Sequence, residues 1–99
     1  MQLDDLPPVA DEATIPLRKP IKFVDEQYTE LNLREPSAIE LAKAMKEPGE
    51  IEMMIALVSM TSGVPRRAVE QLTQRDLGRC ADFFAQFSKA PPLDESAQT

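Results

Sequence analysis

From Ile15 to Arg34 apolar side chains recur at every second position, and beyond Ser37 they recur every three or four. The first periodicity is that of half-buried strands and the second that of helices. Ile15, Leu17, Ile21 and Phe23 form the apolar side of a first strand, interrupted only by Lys19, with Pro16 and Pro20 on the opposite face. Proline cannot donate to a ladder, so this strand is expected at an edge or with its prolines turned from the partner. Val24-Asp-Glu-Gln27 has no glycine, which predicts a loop of three or four residues rather than a tight turn. The return strand, Tyr28 to Arg34, sets Leu31 and Leu33 on one face and Glu30, Asn32 and Arg34 on the other. A lone hairpin is unstable in water, so its apolar face must be covered.

The change of period falls at Arg34-Glu-Pro-Ser-Ala-Ile-Glu-Leu41. Pro36 disfavours helix in the residue before it, and Ser37 with Glu40 has the spacing of a capping box. A first helix is predicted from Ala38 to Met45 or Lys46, offering Ile39, Leu41, Ala42 and Met45 for burial. Glu47-Pro-Gly-Glu50 ends it. A second helix, Ile51 to Ser62, is apolar on almost every side and is expected to be the central one. Gly63 suits its C-terminal stop and Pro65 the start of a short third helix carrying Val69 and Leu72. Thr73 and Asp76 resemble a further cap, opening a fourth helix to about Phe87 with a stripe of Leu77, Cys80, Ala81, Phe84 and Phe87. The expected fold is α+β: an N-terminal β-hairpin over residues 15–35, then about four short α-helices over residues 37–87, packed on one face.

Composition narrows the domain and the chemistry. Residues 1–14 carry four acids and no base, and residues 88–99 are poor in large apolar side chains, so both ends are expected to be flexible tails of one domain spanning 15–87. That domain has ten bases and eleven acids, a net of −1, so most of the overall −6 belongs to the N-terminal tail. One cysteine and no histidine exclude an intrachain disulfide and a His/Cys zinc site. No apolar run reaches the roughly 18–20 residues of a membrane span, and the N-terminus lacks the order of a signal peptide, which makes a reducing cytoplasm the expected setting.

Nothing gathers into a catalytic, metal or cofactor site: there is no histidine base and no glycine-rich phosphate loop. Cys80 falls on the apolar stripe and is expected to be an inert buried thiol. Glu47, Glu50 and Glu52 read as a solvated helix start favoured by the helix dipole. Ser59 to Leu72 resembles a helix-turn-helix, with Arg66 and Arg67 where a recognition helix would begin. The plainer reading pairs both arginines with Glu70 on the helix surface, and a core without net positive charge gains little from counterion release. A DNA-binding regulator is therefore the alternative and not the preferred function.

The remaining signal is apolar surplus. Met45, Met53, Met54 and Met60 crowd two short helices, and Phe83, Phe84 and Phe87 crowd the last. Most of these belong in a core, but methionine also suits surfaces that accept varied helices. Three phenylalanines in five residues cannot all face inward on one helix, which makes Phe83 the expected exposed anchor. Helices two and four are expected to form a groove for a partner helix, with Met53, Met60, Phe83 and Phe87 as contact residues. The same surplus could instead be buried in a homo-oligomer.

Leu17-Arg-Lys-Pro-Ile21, Thr29-Glu-Leu-Asn-Leu-Arg-Glu-Pro36, Gly63-Val-Pro65 and Leu72-Thr-Gln-Arg-Asp-Leu77 follow one another in an order that resembles small tail assembly chaperones of contractile-tailed bacteriophages and prophages. The resemblance covers about Ile15 to Phe87. It implies a non-enzymatic factor, without cofactor, that binds the tape measure protein and assists tail-tube assembly around it. It further implies action in the cytoplasm of the infected bacterium, absence from the finished virion, and a longer form made by ribosomal frameshifting, joined near Ser88. Such a factor should co-purify with a long helical protein, whereas a regulator should bind duplex DNA with strong salt dependence.

Overall fold

The computed structural model describes residues 11–89, so most of both expected tails, residues 1–10 and 90–99, lies outside the described residues. Two antiparallel strands, β1 (Glu12–Phe23) and β2 (Glu26–Arg34), precede four helices: α1 (Ala38–Ala44), α2 (Glu50–Ser62), α3 (Arg66–Val69) and α4 (Gln74–Lys89). The architecture is α+β, a hairpin followed by helices, as the periodicities predict. β1 starts three residues before Ile15, because Glu12, Ala13 and Thr14 pair with Arg34, Leu33 and Asn32. Thr14 Oγ1 donates to Asn32 Oδ1 at 2.8 Å, and the Glu35 amide donates to the Asp11 carbonyl at 2.8 Å. Ala13 continues the odd-position alternation and is half-buried against the core, but so small a side chain between polar Glu12 and Thr14 is a weak strand signal.

The hairpin turn is tighter than expected. Phe23 pairs with Glu26, leaving only Val24 and Asp25 in the turn. Val24 adopts φ 57, a left-handed conformation in which a β-branched residue is rare. The absence of glycine therefore did not lengthen the loop; the strand pairing imposes the turn on an unfavourable residue. Further along, the register shifts between Pro16 and Ile21, so that Leu17, Arg18, Lys19 and Pro20 of β1 oppose Thr29 alone on β2. This bulge is the interruption that Lys19 marks in the sequence, and it accommodates Pro20 where no ladder bond is required.

Asp76, fully buried in the first turn of α4, closes the bulge. Its carboxylate accepts the Arg18 amide through both oxygens, at 3.1 and 3.0 Å, and the Lys19 amide at 3.3 Å. Arg79, one turn along, bonds Asp76 at 3.3 Å and also donates to the Pro16 carbonyl. Thr73 caps α4 by accepting the Asp76 amide at 3.2 Å. Thr73 and Asp76 thus do more than start a helix: the aspartate ties that helix to β1.

Ile21, Leu31 and Leu33 supply the hairpin's share of the core, with Phe23 half-buried. They are covered by α2 over β2 and by α3 and α4 over β1. α2 contacts β2 and all three other helices, which is the central place its apolar circumference predicts. It ends at Gly63, whose φ of 79 is the left-handed stop and whose amide returns to the Ser59 carbonyl at 2.9 Å. α1 departs from expectation. Its capping box is present, with Ser37 Oγ accepting the Glu40 amide and Glu40 Oε1 accepting the Ser37 amide. Yet only Ala44 is buried, while Ile39, Leu41, Ala42 and Met45 are exposed. α2 and α4 already cover the hairpin, so α1 lies on α2 alone and buries a single small side chain.

Candidate functional site

An apolar concavity lies between α2 and α4, with a volume of about 400 Å³. Met53, Met54 and Leu57, spaced to share one face of α2, form one wall. Phe84 and Phe87 of α4 form the other, and Leu41 of α1 with Glu35 and Pro36 closes one side. Ala81 and Ala85, one turn apart on α4, also line it. Small side chains at these two positions leave open the space that a leucine stripe would fill. Met53, Met54 and Phe87 are only half-buried, so the groove presents flexible thioethers and an aromatic ring to solvent.

Of the four expected contact residues, the structure brings Met53 and Phe87 together in this groove. Met60 does not line it, but a separate depression beside Lys43, Glu47 and Arg66. Phe83 is not the exposed anchor that helical spacing suggested: it is 4% exposed. Its ring packs edge-on against Phe84 at 5.5 Å and Phe87 at 5.1 Å between centroids. The reason is that α4 is covered twice, by β1 on one side and α2 on another, so its buried arc is wide enough for both Phe83 and Phe84. Met54, Leu57, Leu41, Phe84 and the two alanines line it as well, though the sequence did not mark them as contact residues. The signal for them was the pair of alanines breaking an otherwise bulky apolar stripe.

Two bidentate ion pairs hold the segment that carries α1. Arg34 grips Glu40 at 2.8 and 2.7 Å and also reaches the Met60 carbonyl at 3.3 Å. Arg66 grips Glu47 at 3.1 and 2.7 Å. The Arg34 guanidinium, followed by the Ser37 amide, pulls the Glu40 carboxyl down to about 2, and Arg66 lowers Glu47 in the same way. Arg66 therefore pairs across space with Glu47 and not with Glu70 on its own helix, while Arg67 is exposed. α3 has four residues, a single turn, too short to lie along a DNA major groove as a recognition helix.

Cys80 is fully buried, and burial, reinforced by the Asp76 charge, pushes its thiol up to about 11. A thiol in that state is a packing group and not a nucleophile. Among the described residues no three His, Cys, Asp or Glu side chains gather as a metal site. Among them also, no helix is long and apolar enough to cross a membrane.

Residues 14–89 match the family described as phage tail assembly chaperone proteins, E, or 41 or 14. No curated protein and no solved structure matches the chain significantly. The family match spans most of the chain and nearly all of the hairpin and helices described above. The chain belongs to the phage tail assembly chaperone family. Its role is that of an assembly chaperone, and its partners are proteins of the tail assembly pathway.

Proposed function

We propose that this tail assembly chaperone binds the tape measure protein by receiving an amphipathic helix in the groove between α2 and α4, and so assists assembly of the tail tube around it. The observation that carries this reading is the groove itself, apolar, open and walled by half-buried Met53, Met54 and Phe87. A chain that is mostly helical and has apolar stripes needs such a cover before its final partners arrive, and helix-in-groove recognition supplies it. The chaperone acts without catalysis in the infected bacterial cytoplasm and is left out of the finished particle. A longer form of the chain, extended beyond Ser88, would leave the domain at the groove end of α4.

The test is co-expression of the chaperone with the tape measure protein of the same phage. Wild type should keep the tape measure protein in the soluble fraction and co-purify with it. Ala85→Leu, which fills the groove without touching the hairpin, should lose capture while its thermal midpoint stays within a few degrees of wild type. Equal capture by Ala85→Leu would move the binding site off the groove.

A further inference from the structure

We infer that the helix received by this groove carries basic residues flanking its apolar face. The inference rests on the groove being the docking site and adds the charge pattern of the occupant. Glu35 lines the groove, and among the described residues its carboxylate has no ion-pair partner. The neighbouring cation, Arg34, is committed to Glu40 by a bidentate pair. Glu50 opens α2 one turn before Met53 and falls by helical spacing on the same row as Met53, Met54 and Leu57. It too has no ion-pair partner among the described residues. No lysine or arginine lines the groove.

An apolar trough with one free carboxylate in its lining and a second one turn before Met53 on α2 has a definite complement. An acidic flank on the incoming helix would set like charges together, whereas Lys or Arg would pair with Glu35 and Glu50 as the apolar face is buried. Between its basic flanks the partner needs apolar side chains at the i, i+3 or i+4, and i+7 positions. Exposed pairs contribute modestly to affinity, so the charges select the partner and orient it, while Met53, Leu57 and Phe87 hold it.

Two synthetic helical peptides with one shared apolar face and either Lys or Glu at both flanks separate the possibilities by fluorescence anisotropy. The Lys peptide should bind about threefold to tenfold tighter at low salt, an advantage that fades as salt rises. The double variant Glu35→Lys, Glu50→Lys should reverse the preference. Equal binding of both peptides, each lost in Ala85→Leu, would overturn the charge pattern and leave the groove in place. Binding by neither would overturn the groove reading together with this one. Self-association of the chaperone that Ala85→Leu abolishes would give the groove to a second copy and also overturn the inference.

Discussion

Replacing Asp76 should be the most damaging single polar substitution in the domain. Two backbone amides, Arg18 and Lys19, and the Arg79 guanidinium converge on its buried carboxylate. A hydrogen bond to a charged group contributes about 1.5–3 kcal/mol, and the Lys19 bond, at 3.3 Å, belongs at the low end. The bulge is partly accessible, so water recovers some of the loss in Asp76→Ala, which should cost about 2–4 kcal/mol. Asp76→Asn keeps one acceptor but loses the charge and turns an amide donor toward donors, costing about 1–3 kcal/mol. A domain of this size has roughly 5–10 kcal/mol in all. With a urea slope near 1 kcal/mol/M, the Asp76→Asn midpoint should fall by about 1–3 M.

The pH dependence provides the stricter check. Burial acts against ionisation of Asp76, but the Arg18 and Lys19 amides, the Thr73 hydroxyl and Arg79 outweigh it and hold the carboxyl below its usual range. A depressed folded pKa means that the stabilisation is complete above the unfolded carboxylate value, about 3.9, and is lost as pH falls through the folded one. The gap between wild type and Asp76→Asn should therefore be full at pH 7 and shrink below about pH 4. Glu40 titrates to about 2 in both proteins and cancels from the difference. An unchanged urea midpoint at pH 7, or a gap undiminished at pH 2, would refute the latch.

Other positions give sharper yes-or-no outcomes. Val24→Asn, which accepts φ 57 more readily than valine, should stabilise by about 0.5–1.5 kcal/mol, and a lower thermal midpoint would show that the turn is not strained. Phe83→Ala should cost about 3–5 kcal/mol in urea unfolding, whereas a wild-type midpoint would return Phe83 to the surface. Cys80 should react with a thiol reagent only when denaturant opens the core, and rapid native labelling would contradict its burial.

Features decided within one turn were legible in the sequence. The Ser37 and Glu40 box, the Thr73 cap and the Gly63 stop all need only neighbours, and each is where its signature puts it. What depends on which faces other elements cover was not. Ile39, Leu41 and Met45 have helical spacing suited to burial, but α2 and α4 take the hairpin first and leave them in solvent. Phe83 lies off the centre of its stripe, yet coverage of α4 from two sides buries it. The groove was half legible: Met53 and Phe87 belong to it, while Met60, two turns along α2 from Met53, lines a separate depression. Asp76 signalled a helix start, but its bond to β1 required a bulge that sequence showed only as one misplaced lysine.

The latch between β1 and α4 also fixes the order in which the chain can fold. Arg18 and Asp76 are 58 positions apart, and Pro16 and Arg79 are 63 apart. The middle of the hairpin thus lacks a partner for its amides until the first turn of the last helix exists. A nascent chain emerging from the ribosome can form α2 and the Gly63 turn early, because those contacts are local. The bulge of β1 must wait, since closing so long a loop carries an entropy penalty that only the finished contact repays. Hairpin and helices therefore form one cooperative unit, and a fragment ending before Asp76 would not hold the strand that opens the chain.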